Sequence, residues 1–93
     1  MTTTSIPDFC AIEDSRLLPG LQEAQEKLNN GTGELVLDFS TVQRINPAAI
    51  AKLEQMTGVA DEKAVKLTLR GVNVEIYKVL KLARLASRFS FVN

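Results

Sequence analysis

Apolar residues recur along this chain with two different periods. Leu17, Leu21, Ala24 and Leu28 are spaced as one face of a helix, with Gln22, Glu23, Gln25 and Glu26 on the other side. Ile50, Leu53, Met56 or Thr57, and Ala60 repeat that spacing, and so do Ile76, Val79, Leu80, Ala83 and Ala86. Between these segments the pattern changes. Asp8 to Glu13 fits one short strand. Leu35, Val36, Leu37 and Phe39 form an apolar run without alternation, which predicts a central strand buried on both faces. Val65, Leu67 and Leu69 alternate with Lys66, Thr68 and Arg70, which predicts a strand with one wetter face. Phe89-Ser90-Phe91-Val92 closes the series as a short last strand.

Capping residues fall where this reading needs them. Asp14 or Ser15 is placed to cap the first helix, and Pro19 lies near its start, where proline is tolerated. Asn29 to Gly33 stops it, with Gly31 expected as a left-handed cap. Asn46 and Pro47 are a cap and first-turn pair for the second helix, which should end near Glu62 or Lys63. Gly58 weakens that helix by about 1 kcal/mol relative to alanine. Gly71-Val72-Asn73 turns the chain, and Asn73 caps the third helix. The order is strand, helix, strand, helix, strand, helix, strand. It predicts an α/β fold: a small mixed, mainly parallel sheet of about four strands with three helices packed on it.

At 93 residues the chain suits a single domain over 1–93, with 1–7 expected as a flexible tail. No run approaches the roughly 20 apolar residues of a membrane span, so no transmembrane segment is expected. Met1 to Ser5 carries no basic residue and no apolar core, so no secretory signal is expected, and one cysteine excludes an internal disulfide. These features together predict a cytoplasmic protein. The chain has no histidine, which removes the commonest general base and most zinc sites. Cys10 reads as a small hydrophobe. Neither catalysis nor a metal or cofactor is expected, and no small-molecule substrate.

The net charge is zero, yet it is unevenly spread. Residues 1–62 hold ten acids and four bases, a balance of −6; residues 63–93 hold one acid and seven bases, a balance of +6. Such a split can mark a nucleic-acid or membrane surface. The preferred reading is that the two halves interleave and offset one another. Lys78, Lys81, Arg84 and Arg88 are expected along one face of the third helix, with Glu75 at its start, an order that complements the helix dipole. As a function, that face would dock an acidic partner, nucleic acid or anionic lipid. Tyr77 is the one aromatic among the bases, which disfavours single-stranded nucleic acid.

The junction between the central strand and the second helix is where α/β proteins commonly place a site. Here its helix has no hydroxyl in the first turn, and the junction has no thiol and no glycine loop. Asp38, Ser40 and Thr41 read as turn formers that bond local backbone. Arg44 stands alone in the loop, placed to touch a partner.

Three segments in order carry a family resemblance. Leu35-Val36-Leu37-Asp38-Phe39-Ser40-Thr41-Val42 resembles the central strand and turn of STAS domains, the fold of bacterial anti-sigma factor antagonists. Ile45-Asn46-Pro47-Ala48-Ala49-Ile50 falls where that family has a hydrophobic residue, an Asp-Ser-Ser/Thr-Gly segment and a helix. Gly71 to Leu85 is similar to the closing helix, and the likeness spans roughly residues 14–92. In regulatory members the resemblance implies a phospho-switch: a serine kinase that is also an anti-sigma factor modifies the first serine of the segment. That position is Pro47 here. The neighbouring hydroxyl is Ala48, the acid Asn46 and the glycine Ala49. One short strand precedes the first helix, where the family commonly has two.

The resemblance therefore implies a non-catalytic docking module that the usual kinase chemistry cannot switch. Its expected partner surface is Ser40, Thr41, Arg44, Asn46, Pro47, Ala48 and Ala49, facing an anti-sigma factor or serine kinase-like protein. The alternatives are the basic-face binder and an accessory subunit of a lipid transport complex. Homodimerisation stays open.

Overall fold

Four parallel strands lie side by side in the order in which the chain makes them. The computed structural model describes residues 8–30 and 33–92. The strands are β1 (Asp8–Ala11), β2 (Glu34–Asp38), β3 (Lys66–Arg70) and β4 (Ser90–Val92); the helices are α1 (Leu17–Asn30), α2 (Pro47–Lys63) and α3 (Val74–Leu82). Single 3-10 turns, Asp14–Arg16 and Ala86–Arg88, precede α1 and β4. The sheet order is β1-β2-β3-β4, and among the described residues every pairing is parallel. The sheet is thus wholly parallel rather than mixed. The expected tail 1–7 and the expected cap at Gly31 lie outside the described residues.

Sheet order decides what each strand buries. All three crossovers step the same way, and such connections are right-handed, so α1, α2 and α3 share one face of the sheet. Burial along β2 alternates as a result: Leu35 and Leu37 are buried beneath the helices, while Glu34, Val36 and Asp38 are half-buried on the other face. The expectation of two-sided burial is corrected here. The helix-side row Cys10–Leu37–Leu69–Phe91 runs across all four strands. On the open face Phe9, Val36, Thr68 and Ser90 form the neighbouring row. Thr68 is 3% exposed despite lying on that wetter face, and its hydroxyl donates to Glu34 Oε2 at 2.6 Å.

The core joins the sheet's helix side to Leu21, Ala24 and Leu28 of α1, Leu53, Met56 and Ala60 of α2, and Ile76 and Leu80 of α3. Met56 and Thr57 are both buried, the Thr57 hydroxyl donating to the Glu54 carbonyl at 2.7 Å.

Both α2 and α3 end in a Schellman turn built without glycine. At α2 the Val65 N–H reaches the Ala60 carbonyl and the Ala64 N–H that of Asp61, with Ala64 at φ 55°. At α3 the Leu85 N–H reaches Leu80 and the Arg84 N–H reaches Lys81, with Arg84 at φ 62°. Helix α3 therefore stops at Leu82, before the last two bases expected on its face.

Because strand order follows sequence order, the acidic and basic halves do not interleave. Residues 8–30, forming β1 and α1 at one edge, hold five acids and two bases, a balance of −3. Residues 33–73 in the middle hold five of each. Residues 74–92, forming α3 and β4 at the far edge, hold one acid and four bases, a balance of +3. The expected offsetting of halves is confined to their meeting place, where Arg88 pairs with Asp61, and the two edges keep opposite charge.

Candidate functional site

The chain leaves β2 through a turn that Asp38 sets. Its Oδ1 accepts from the Ser40 N–H at 3.0 Å, and the Val42 N–H donates to the Phe39 carbonyl at 2.9 Å. Phe39 and Val42 are buried, so the turn is pinned by side chains at both ends while Ser40 and Thr41 face outward. The Thr41 hydroxyl donates to the Ile12 carbonyl at 3.2 Å.

Two neighbours hold the loop that follows. Asp14 accepts from the Gln43 N–H at 3.1 Å through Oδ1, and Asn73 Nδ2 donates to the Gln43 carbonyl at 2.9 Å. Asp14 is thus a loop anchor. Neither Asp14 nor Ser15 caps α1, which is entered through the 3-10 turn with no side-chain cap. Asn73 has a second role, since its Oδ1 accepts from the Ile76 N–H at 2.8 Å and caps α3. One side chain joins the loop to the start of α3.

Asn46 caps α2 as expected, Oδ1 accepting from the Ala49 N–H at 2.8 Å, with Pro47 in the first turn. This arrangement limits what the helix end can bind. Proline has no N–H, the cap takes that of Ala49, and Ile50 donates to the Asn46 carbonyl, so the first turn offers outward the N–H of Ala48. A phosphate cradle needs several such donors. This helix end is neutral and offers few hydrogen-bonding groups outward.

Ser40, Thr41, Arg44, Asn46, Pro47 and Ala48 are all exposed and lie together at the C-terminal end of the strands. Ala49 does not join them. It is 0% exposed, its methyl packed in the core beneath the first turn, out of a partner's reach. Beside this surface lies a cleft of about 220 Å³ between Arg44 and Ile45 of the loop and Glu75, Ile76 and Val79 of α3. The local sequence does not announce the α3 side of that cleft; its one signal is Asn73, whose amide suits both a cap and a tie to another segment.

The four bases separate. Lys78 and Lys81 are exposed on α3, Arg84 sits in the left-handed turn beyond it, and Arg88 lies in the last 3-10 turn, paired with Asp61 of α2. They do not line one helix face. Lys78 and Lys81 instead share their surface with apolar side chains: Val74 is 71% exposed and Leu82 85%. Cys10 is buried, its Sγ 4.0 Å from the Gly20 carbonyl, and burial pushes its thiol above the usual range. No helix among the described residues is long and apolar enough to cross a membrane.

Comparison with known proteins agrees with this fold. No curated protein matches the chain. A crystal structure of a putative anti-sigma factor antagonist from Thermotoga maritima has the same fold, with a TM-score of 0.69 at 19% identity, covering 95% of this chain and 75% of that one. The family model described as "Mlab, STAS domain" matches residues 15–92. The chain belongs to the STAS domain family.

Proposed function

We propose that this chain is a non-catalytic docking module that holds a protein partner against the β2–α2 junction without a phosphorylation switch. Its contact surface is Ser40, Thr41, Arg44, Asn46, Pro47 and Ala48, extended by the cleft beside Arg44 and Ile45. The observation that carries this reading is the exposed, uncharged first turn of α2; the sequence resemblance sets Pro47 at the position of the acceptor serine of the family's regulatory members. A phosphate there would add about −1.5 to −2 charges and repel a partner; proline keeps the first turn of α2 permanently uncharged. The partner of this reading is an anti-sigma factor or serine kinase-like protein, met in the cytoplasm.

The test is affinity capture of the partner, followed by titration against wild type and Ala48→Glu. The new carboxylate is set at a helix N-terminus, which it does not destabilise, so the fold is retained. Binding should weaken by at least about tenfold, or 1.4 kcal/mol. Unchanged binding by Ala48→Glu, or stoichiometric phosphate on Ser40 or Thr41 that abolishes docking, overturns the proposal.

A further inference from the structure

The two edges of the sheet are unlike, and each suits the other. At one edge, β1 and α1 enclose a groove of about 690 Å³ lined by Phe9, Cys10, Glu23, Glu26, Lys27 and Asn30. At the other, Tyr77 and Phe91 form an edge-to-face pair, ring centroids 5.1 Å apart, beside Lys81 and Arg84, with Lys78 exposed on the same helix as Lys81. The first region carries −3 and the second +3.

Backbone groups match in the same way. The Ile12 N–H donates to the Asp38 carbonyl, so by the alternation along a strand Phe9 and Ala11 turn their polar groups away from β2. The Val92 carbonyl accepts from the Gly71 N–H, so Phe91 turns its own away from β3. A parallel bridge needs one outward residue on one strand flanked by two on the next. Phe91 and the Phe9–Ala11 pair supply that arrangement.

From these edges we infer that the protein associates with itself head to tail, β4 of one copy beside β1 of the next. The Phe91 N–H donates to the Phe9 carbonyl of a second copy, and that copy's Ala11 N–H donates to the Phe91 carbonyl. The row Cys10–Leu37–Leu69–Phe91 then continues into Cys10 of the second copy. Lys78 and Lys81 come to the side of the sheet that carries the second copy's Glu23 and Glu26, because α1 and α3 share one face. The contact joins unlike surfaces, so it is heterologous and can repeat. Lys27 restrains it: its ammonium donates to the Phe9 carbonyl at 3.0 Å and competes there with the incoming Phe91 N–H. The association is therefore weak and reversible.

Sedimentation velocity over a concentration series at low salt tests this with wild type and three variants whose folding is checked by circular dichroism. Wild type should sediment faster as concentration rises and lose at least about tenfold in affinity at high salt, where charges more than about 3 Å apart are screened. Glu23→Lys with Glu26→Lys, and Lys78→Glu with Lys81→Glu, should each stay monomeric alone. Mixing the two double variants should restore association, because every unlike edge then meets a complement. Lys27→Ala, which frees the Phe9 carbonyl, should associate more tightly than wild type. Four outcomes overturn the inference: monomers throughout, Lys27→Ala included; association insensitive to salt; loss in one double variant and not the other, which marks a symmetric contact between like edges; or a mixture that stays monomeric. None of them touches docking at the β2–α2 junction.

Discussion

Gly71 and Ser40 approach so closely that a Cβ placed on Gly71 would lie 2.8 Å from Ser40 Cβ and 2.9 Å from its Cα. Gly71 also has φ +70°, a conformation that favours glycine. The turn after β3 is thus moulded against the turn after β2, and the position of Ser40 depends on a residue 31 places away. Gly71→Ala combines backbone strain with an overlap on main-chain atoms that cannot rotate aside. It should cost about 3 kcal/mol, near the upper end for a single substitution. Urea unfolding of the variant beside wild type measures this. A loss below about 1 kcal/mol would mean that the two turns separate easily.

The glycine-free Schellman turns offer the opposite change. Ala64 and Arg84 each hold a left-handed conformation that a Cβ disfavours, and both side chains are exposed. Ala64→Gly and Arg84→Gly should each stabilise the fold by about 1 kcal/mol, visible as a raised denaturation midpoint at unchanged slope. The sites are on different turns, so the two gains should add.

Asn73 allows its two tasks to be separated. Asn73→Ala removes both the α3 cap and the donor to Gln43, and should cost about 2 kcal/mol. Asn73→Asp keeps the oxygen that caps Ile76 and loses the amide that reaches Gln43, at a cost of about 1 kcal/mol or less. Hydrogen exchange distinguishes them: the aspartate variant should loosen residues 40–46 and leave α3 protected.

Cys10 predicts an alkaline effect. Burial raises its thiol, opposed by the charge of Lys27 and reinforced by Glu23. The unfolded chain then gives up this proton at a lower pH than the folded one. Stability should fall as pH rises through the ordinary thiol value of 9.0 and be unaffected well below it. Cys10→Ala should flatten that alkaline limb in pH-dependent unfolding, and the native thiol should react with Ellman's reagent more slowly than the unfolded one.

The elements were legible because their signals are local. The spacing of Leu21, Ala24 and Leu28, the Asn46-Pro47 pair and the Asn73 cap each fix an element within a few residues. Where the structure departs from the local pattern, distant parts of the chain decide. Leu35-Val36-Leu37 reads as buried on both sides because all three are apolar, yet Val36 is only half-covered since the crossovers all step one way. Asp14 looks like a cap and instead bonds Gln43, 29 residues on. Arg84 continues an apparent helical face, but the helix closes at Leu82 through a turn with no glycine to mark it.

The candidate surface divides in the same way. Its place, its cap and the neutrality of its helix end follow from Asn46-Pro47-Ala48. That Ala49 points inward follows from helix phase, which is fixed only once the core is known. The cleft against Glu75 and Val79 depends on how α3 lies beside the loop, set by the Asn73 bond to Gln43.

The graded charge along the sheet has a consequence for handling the protein. With eleven acids balanced by eleven bases, the molecules near neutral pH lack the mutual repulsion that keeps many proteins dispersed. What remains is attraction between opposite poles, which dissolved ions weaken. The protein should therefore salt in: its solubility near its isoelectric point of about 6.2 rises when sodium chloride is added, so dialysis into pure water is the condition that precipitates it.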